Sequence, residues 1–377
     1  MMRICYIADA GSIHTQKWVN YFAQRGYEVH LISSRGNSSE FEPGVGLHLL
    51  TTIAPRLWSV SKYLNGLLWP VQARRLIRRI KPDIVDAHYI TVNGYLGIAS
   101  GFHPLILTAW GSDVLLDPKQ NWLWKILTKY ALNKTEVVIC DSQVVHKELL
   151  KLGVSPGKIK MIYNGVDTQQ FSRQQANEGL KRKLGMLEAP SIIYIRSLKP
   201  VYNVEMLIRA IPLVLRQFPE ARFIIGGDGE QKEYLQDLAK SLGISDSTRF
   251  IGWIPHNELP EYLASADVYV STSLSDSTSL SLQEAMACEL APVVTDLPAN
   301  REWITDGESG FIVPINDIQA LADRITHLLN NNEVRQRFGK AGREVIKERA
   351  EYEREMEKME EIYQGVAYTK NKGQRKC

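Results

Sequence analysis

Two acids flank the start of a predicted helix. Asp276 falls in a Ser-rich loop that follows an apolar run, and Glu284 comes eight residues later, one turn into the helix. Backbone N–H groups at this helix start, those of Ser279 and Leu280, can receive a pyrophosphate, whose charge the helix dipole favours. Glu284 can then accept from two ribose hydroxyls, and Asp276 can reach sugar hydroxyls. The spacing is therefore typical of a nucleotide-sugar site.

The segments around these acids alternate between short apolar strands and longer helical patterns, which predicts parallel α/β sheets. The pattern begins at Arg3 and restarts at Ser191, after a turn and a polar stretch. We predict two Rossmann-like domains that face a central cleft, with a C-terminal helix and polar tail that pack across and return toward the first domain. Their predicted bounds are 1–168, 169–350 and 351–377. Ligands of open α/β sheets bind at the carboxyl ends of the strands, so both sets of strand-end loops should face the cleft.

The composition excludes several classes of protein. The 377 residues are 44% hydrophobic and 23% charged, with eight Trp and sixteen Tyr, which excludes disordered, collagenous and disulfide-scaffold chains. The four cysteines form no C-x-x-C pair, which argues against a structural zinc site and for a reducing compartment. Apolar runs are far shorter than the ~20 residues of a spanning helix, and the first residues resemble a strand rather than a signal peptide. We therefore expect a cytoplasmic protein.

Basic residues are concentrated in the first half of the chain. Residues 1–167 contain 19 Lys and Arg against 12 Asp and Glu, whereas the remainder contains 26 against 30. The segment 54–80 combines basic, Trp and Leu residues with no acid, which fits a peripheral site on an anionic membrane. The patch can extend to four residues further on, Trp122, Trp124, Lys125 and Lys129. The alternative is a helix whose apolar face packs on the sheet; nucleic acid is not expected, since no motif accompanies the charge.

Further motifs accompany the acid pair. Asp276 and Glu284–Cys288 are followed by Val293 and Val294. The other motifs are 164–167 (NGVD) with Phe171, 226–229 (GGDG), 250–253 (FIGW) and 306–314 (DGESGFIVP). Together they resemble a retaining glycosyltransferase of the GT-B fold, of family four or glycosyl transferases group 1, which carries an acid, seven residues, and a Glu in an E-A-M-A helix followed by a P-V-V strand. The resemblance covers nearly the whole chain.

The resemblance implies transfer of a sugar from a UDP- or GDP-sugar to a glycan or lipid-linked acceptor, with retention of anomeric configuration. The leaving phosphate would help to deprotonate the acceptor, so the protein would mainly position the substrates and stabilise leaving-group charge. No cofactor and no metal is expected. The implied catalytic residues are Asp276, Glu284, His88 and Asp113. The implied donor-binding residues are Gly11, Ser12, Arg196, Lys199, Gly252, Ser279, Leu280 and Glu284, and the acceptor-side residues are His14 and Trp110.

The chain also departs from the family pattern. Asp276 stands where the family usually has Glu, and Ser277 and Ser279 replace two glycines. Ser197 and Tyr202 stand at the places of the usual pyrophosphate-binding Arg and Lys, so Arg196 and Lys199 are candidates from shifted positions. Trp110 replaces a His that contacts the donor sugar in the family, and His88 or Asp113 could take over part of its role.

Other interpretations of these residues remain open. Asp276 could be a helix cap, Glu284 a first-turn acid that stabilises the helix dipole, and Trp110 a packing residue. Two other functions also fit the architecture: a nucleotide-sugar 2-epimerase, and a non-catalytic relative that binds a nucleotide or glycan. Only an epimerase would convert the donor without an acceptor, and only a transferase would release nucleoside diphosphate when an acceptor is added.

Overall fold

The chain forms two compact units. The computed structural model describes residues 1–36, 41–51, 58–120 and 122–374, with the backbone alone at 58–67 and 370–374. The first unit comprises Met1–Asn164 and Arg354–Cys377, and the second comprises Gly165–Glu353. The corresponding bounds predicted from the sequence fall at 168 and 350.

The first unit contains a seven-stranded parallel sheet with the order β3-β2-β1-β4-β5-β6-β7. The strands are β1 (Arg3–Ile7), β2 (Glu28–Ser33), β3 (Gly46–Leu49), β4 (Ile84–His88), β5 (Leu105–Thr108), β6 (Val137–Cys140) and β7 (Ile159–Met161). The helices are α1 (Ile13–Gln24), α2 (Trp58–Ile80), α3 (Tyr95–Ser100), α4 (Ser112–Leu115), α5 (Asp117–Gln120), α6 (Trp122–Asn133) and α7 (Gln143–Lys151). A π-helical turn, Ile90–Gly94, and a 3-10 turn, Pro156–Lys158, complete the series. Strands β5 and β6 are almost entirely apolar, as buried parallel strands require, whereas the central strand β4 also carries the buried Asp86 and His88.

Helix α2 packs one face against the core of this sheet. Ala73, Ile77 and Ile80 are buried, and their spacing of three and four residues places them on one side of the helix. The arginines of the same stretch, Arg74, Arg75, Arg78 and Arg79, are exposed. These three apolar residues of the basic segment therefore pack on the sheet, which was the predicted alternative to membrane contact. Residues 54–57 of that segment, and the side chains of 58–67, lie outside the described part.

The second unit contains a six-stranded parallel sheet with the order β10-β9-β8-β11-β12-β13. The strands are β8 (Ser191–Ile195), β9 (Arg222–Gly226), β10 (Thr248–Gly252), β11 (Val268–Ser271), β12 (Ala291–Thr295) and β13 (Phe311–Val313). The helices are α8 (Glu178–Leu184), α9 (Val204–Leu215), α10 (Lys232–Ser241), α11 (Leu259–Ser265), α12 (Leu280–Ala287), α13 (Pro298–Arg301), α14 (Ile318–Asn330) and α15 (Asn332–Arg349). Two 3-10 turns span Arg173–Gln175 and Pro200–Tyr202. Both sheets are those of Rossmann-like domains, as predicted.

The last helix, α16 (Tyr352–Gln374), joins the first unit from Arg354 onward. The Tyr363 hydroxyl donates to Asp86 Oδ2 at 2.6 Å and lies 3.1 Å from the Tyr6 hydroxyl. Glu355 is fully buried and accepts from the backbone N–H of Tyr163 at 3.0 Å. The hydrogen bonds of Tyr363 fix α16 on β1 and β4, and that of Glu355 fixes it on the segment after β7. Among the described helices, none has the length and apolar character needed to span a bilayer.

Candidate functional site

Arg196 forms a buried polar cluster at the start of α12. It follows β8, and its guanidinium pairs with the Asp276 carboxylate and donates to Ser279 Oγ at 2.7 Å. The guanidinium carbon also lies 4.3 Å from the centre of the Tyr202 ring, within range of a cation–π interaction. Arg196 and Asp276 are 12% and 11% exposed at their side chains, so the pair is largely removed from water. The structure thus brings together the predicted catalytic residue Asp276 and two predicted donor-binding residues, Arg196 and Ser279.

The charge state of Arg196 follows from its pairing with Asp276. Burial alone lowers the pKa of Arg196, but the nearby Asp276 carboxylate raises it, and the net shift is upward. Arg196 therefore remains a cation, held within reach of the backbone N–H groups that begin α12. A protonated guanidinium beside a helix start is a suitable environment for a phosphate group.

The glycines after β9 allow the loop that carries Arg196 to pack closely against them. A Cβ atom at Gly227 would lie 2.1 Å from the carbonyl oxygen of Arg196, and one at Gly229 would lie 2.4 Å from that of Leu198. Leu198 in turn donates its N–H to the carbonyl oxygen of Asp228 at 2.9 Å. The 226–229 motif is therefore a packing requirement that positions the backbone of Arg196, rather than a dinucleotide fingerprint.

Glu284 lies one turn into α12 and is 2% exposed. Helix α12 begins at Leu280, where Ser279 acts as the N-cap and accepts from the N–H of Leu282 at 3.3 Å. Glu284 Oε1 lies 2.8 Å from His256 Nε2. The His256 ring in turn packs 5.3 Å from the ring of Phe171, centre to centre. The carbonyl oxygen of Asp167, the last residue of the 164–167 motif, accepts from the N–H of Phe171 at 2.8 Å, so Asp167 belongs to the structure that supports Glu284.

A second group of predicted residues lies in the first unit, around His88. His88 ends β4, is 2% exposed, and is surrounded edge-on by the rings of Tyr6, Trp18 and Trp110 at 5.4, 5.1 and 5.4 Å. Its Nε2 atom lies 3.8 Å from Asp86 Oδ2. His88 is thus enclosed by aromatic rings, which does not favour direct contact with a substrate.

Trp110 and His14 form a stacked aromatic pair. Their ring centres are 4.7 Å apart at an interplanar angle of 20°, and both side chains are partly exposed. Trp18 packs edge-on against Trp110 at 5.7 Å and supports it from the buried side. A rigid, partly exposed aromatic plate of this kind suits the apolar face of a sugar ring.

Comparisons with known proteins identify the family. The profile described as "Glycosyl transferases group 1" matches residues 177–345, and the profile described as "Glycosyl transferase 4-like" matches residues 3–142. The chain belongs to the GT4-like glycosyltransferases. The predicted family is thereby confirmed.

Two curated relatives of this glycosyltransferase illustrate the similarity. It is 26% identical over 380 residues to N-acetyl-alpha-D-glucosaminyl L-malate synthase of Bacillus anthracis, covering 96% of each chain. It is 30% identical over 251 residues to the putative glycosyltransferase EpsD of Bacillus subtilis, covering 65% of each.

Two solved structures show the fold. Sucrose-phosphate synthase from Thermosynechococcus elongatus matches with a TM-score of 0.83 and 19% identity, over 98% of this chain and 100% of that one. Anabaena HepE, in complex with UDP and glucose, matches with a TM-score of 0.79 and 16% identity, over 97% and 100%. The GT-B fold predicted from the sequence is confirmed.

Asp113 of the glycosyltransferase is enclosed by the protein and has no surface open to solvent. It is fully buried, and its two carboxylate oxygens accept from the backbone N–H groups of Ile90, at 2.8 Å, and Trp110, at 3.1 Å. Burial raises the pKa of Asp113 to about 7, against the lowering effect of those two hydrogen bonds. The geometry favours a role in holding the loop of Trp110 over the catalytic role expected from the sequence.

Four predicted donor residues of the glycosyltransferase lie outside the Arg196 cluster. Gly252 ends β10 with a left-handed φ of 73° and accepts from the N–H of Gly227 at 2.7 Å, so it shapes the neighbouring loop. Lys199 is exposed and precedes the 3-10 turn. In the first unit, Gly11 is exposed and donates its N–H to Asp9 Oδ1 at 3.0 Å, and Ser12 is the N-cap of α1 without a capping side-chain hydrogen bond.

His256 is the residue of this glycosyltransferase that sequence reasoning missed. It lies four residues beyond Gly252, past the carboxyl end of β10. That position was the available signal, because strand ends on one side of a parallel sheet carry the ligand-binding loops. Among the described residues, no group of three or more His, Cys, Asp or Glu side chains is arranged to hold a metal ion.

Proposed function

We propose that this glycosyltransferase moves a sugar from a UDP- or GDP-sugar to a glycan or lipid-linked acceptor, with retention of anomeric configuration. The observation that carries the proposal is the cluster of Arg196, Asp276 and Ser279 at the start of α12, with Glu284 one turn further. The cluster combines a fixed cation, the first N–H groups of a helix and a buried carboxylate. These are the groups that a pyrophosphate and a ribose need.

In the proposed donor complex, Arg196 and the first N–H groups of α12 bind the diphosphate. Arg196 already donates to Ser279 Oγ, and a phosphate oxygen offers the same guanidinium a stronger, charged acceptor. Glu284 binds the ribose hydroxyls, and its bond to His256 fixes the orientation of the carboxylate. Asp276, next to the diphosphate, is placed for hydroxyls of the donor sugar.

The proposed transfer is a front-face substitution at the anomeric carbon. The bond from that carbon to the acceptor oxygen forms on the face from which the bond to the diphosphate oxygen breaks. The acceptor proton passes to the departing phosphate oxygen, so that nucleoside diphosphate and glycoside are the only products. Arg196 and the α12 N–H groups stabilise the charge that develops on the leaving group.

On the first unit, the stacked pair of Trp110 and His14 is the proposed acceptor-side surface. Its aromatic plate, supported by Trp18, favours an acceptor that contains a sugar ring. Two relatives support the proposed donor and acceptor classes. HepE was solved with UDP and glucose. A Mycolicibacterium smegmatis relative, 28% identical over 292 residues, is a GDP-mannose-dependent phosphatidylinositol monomannoside mannosyltransferase.

We also propose a cytoplasmic location. Cys5 and Cys288 are buried free thiols. Burial raises the pKa of Cys5 to about 12, so that thiol is held in its unreactive form. Buried free thiols fit the reducing compartment that the cysteine spacing predicts.

The proposal is tested by comparing Glu284→Gln with the wild type. UDP-, GDP- and ADP-sugars are first screened by thermal shift, since a ligand bound by the folded state raises the melting temperature. Loss of charge-assisted hydrogen bonds should lower the affinity for the stabilising donor about 10- to 100-fold. Glu188→Gln, at an exposed acid of the same unit that lies outside the quoted motifs, serves as the matched control and should bind like the wild type.

Transfer itself is measured as acceptor-dependent release of nucleoside diphosphate, and the product anomer is compared with the donor by NMR. Release with a retained anomer supports the proposal. Conversion of the donor without acceptor would indicate an epimerase, and binding without release against any acceptor pool would indicate a non-catalytic relative. An inverted anomer would overturn the front-face step.

A further inference from the structure

Helix α6 presents a continuous apolar face to solvent. Five large side chains along it are exposed, from 37% at Leu127 to 73% at Trp122; the full set is Trp122, Leu123, Ile126, Leu127 and Tyr130. Their spacing of i, i+1, i+4, i+5 and i+8 places them on one side of the helix. We call these five residues the α6 face.

The opposite side of α6 is already packed. Thr128, Ala131 and Leu132 are buried in the first unit. Trp124 stacks on the ring of Tyr95 at 6.1 Å with an interplanar angle of 15°, and the Tyr95 hydroxyl lies 3.5 Å from Thr128 Oγ1. The helix is therefore anchored through one side, and the α6 face does not pack in the core of the unit.

The charged residues within α6 have a single sign, and the first acids on either side, Asp117 and Glu136, are engaged by Thr91 and His103. Four exposed lysines lie along or beside the helix: Lys119, Lys125, Lys129 and Lys134. Residues 118–135 contain no Asp or Glu. A solvated surface helix ordinarily mixes acids with its lysines, so an apolar stripe bordered by cations alone calls for an anionic partner with an apolar interior.

We propose that the α6 face docks this protein on an anionic phospholipid bilayer. The helix would lie in the plane of the interface, with Trp122 and Ile126 at the acyl boundary and the lysines against the phosphate groups. Tyr130 and Trp122 are side-chain types that favour this boundary because each has an apolar body and a polar tip. A second copy of the chain fits less well, because pairing two such faces would bring lysines against lysines. The surface is distinct from the sugar-transfer residues, and its assignment does not depend on the proposed donor or acceptor.

Helix α2 supplies an internal comparison. Its Arg74 and Arg75 are exposed like the lysines of α6, but the nearby apolar residues Ala73 and Ile77 are buried in the core. This described part of α2 therefore offers charge without an apolar stripe. It should contribute long-range attraction to an anionic membrane but no insertion.

The test is sedimentation of the full-length protein with vesicles of phosphatidylcholine alone, or of phosphatidylcholine with phosphatidylglycerol. We expect binding to the second kind only, weakened by added salt. The double variant Trp122→Ser, Ile126→Ser should lower partitioning into these vesicles at least about tenfold, because it removes the apolar area that would insert. The double variant Lys125→Glu, Lys129→Glu should lower it at least about tenfold as well, given roughly fivefold per lysine at a charged surface. Arg74→Glu with Arg75→Glu changes the net charge by the same amount and should have a clearly smaller effect.

Fluorescence reports the insertion itself. Vesicles containing phosphatidylglycerol should shift Trp emission of the wild type to shorter wavelength, and Trp122→Phe should remove most of that shift. Circular dichroism controls for folding, since all substituted side chains are exposed.

Three results would overturn the proposal: no binding of the wild type to anionic vesicles, α6 variants that bind like the wild type, or equal losses in the α2 control. An oligomer that the Trp122→Ser, Ile126→Ser variant converts to monomer, with vesicle binding unchanged, would instead assign the face to self-association. None of these readouts uses sugar transfer, so failure of the proposed function would leave the vesicle result interpretable.

Discussion

His256 Nε2 lies 2.8 Å from Glu284 Oε1, and this contact joins the loop after β10 to the helix that follows β11. Glu284 is nearly fully buried, so a hydrogen bond to its carboxylate restricts the orientation of that group more than it would in water. His256 itself packs against Phe171. The pair therefore makes the position of Glu284 depend on two elements that are distant in sequence.

Replacing His256 should weaken donor binding through Glu284. We expect His256→Ala to raise KM for the donor about 5- to 20-fold, the loss of one hydrogen bond to a charged group, with a smaller effect on kcat. His256→Gln, which keeps an N–H donor on a side chain of similar reach, should recover much of the affinity. Steady-state kinetics with the donor varied separates the two parameters. A fall in kcat alone, with KM unchanged, would contradict a positioning role.

Removing Arg196 should destabilise the second unit as well as impair donor binding. Arg196→Ala leaves the Asp276 carboxylate buried without its partner, which typically costs about 3 kcal/mol or more. The double variant Arg196→Ala, Asp276→Asn should recover part of the lost thermal stability, because it removes the unpaired charge. Donor affinity, measured by titration calorimetry, should remain low in both variants. If the single and double variants melt at the same temperature, the pair does not contribute as described.

Gly227→Ala should be far more damaging than an ordinary glycine substitution. The added Cβ would lie 2.1 Å from the Arg196 carbonyl oxygen, and Gly227 has a φ of 118°. The backbone of the Arg196 loop would have to move, with an expected loss of roughly 3 kcal/mol or more in the free energy of unfolding. Gly243→Ala is the matched control, because Gly243 also has a positive φ, 68°, but no atom within 4 Å of an added Cβ. The control should cost only about 1 kcal/mol, and equal losses in thermal melts would contradict the packing argument.

Both sheets could be predicted from the sequence because their central strands are short apolar runs between turn residues. The 276–284 motif likewise placed Asp276 and Glu284 correctly on a loop and a helix. Several elements were not predicted. Among them are β3, a four-residue strand of mixed burial, and α6, whose exposed apolar side chains hide the usual amphipathic period.

The site was less accessible to sequence reasoning than the fold. Burial decides what a polar residue can do, and burial is a tertiary property. Asp113 and His88 both lie next to strand ends, yet the structure surrounds one with backbone N–H groups and the other with aromatic rings. His256 carried no spacing signal of its own, since its partner Glu284 is 28 residues away.

Asp113 should make stability depend on pH in the neutral range. Its pKa is raised from 3.8 to about 7 in the folded protein because of burial, so between these values the folded state binds more protons than the unfolded state. Stability should therefore fall as the pH rises from about 4 to about 7, by at most about 4 kcal/mol, and level off above that. Asp113→Asn cannot ionise, so its melting temperature should lack this component of the pH dependence while the chain still folds. Parallel thermal melts of both proteins from pH 4.5 to 8 measure the difference. Identical pH profiles would show that Asp113 titrates normally and that its buried carboxylate is compensated by the N–H groups of Ile90 and Trp110.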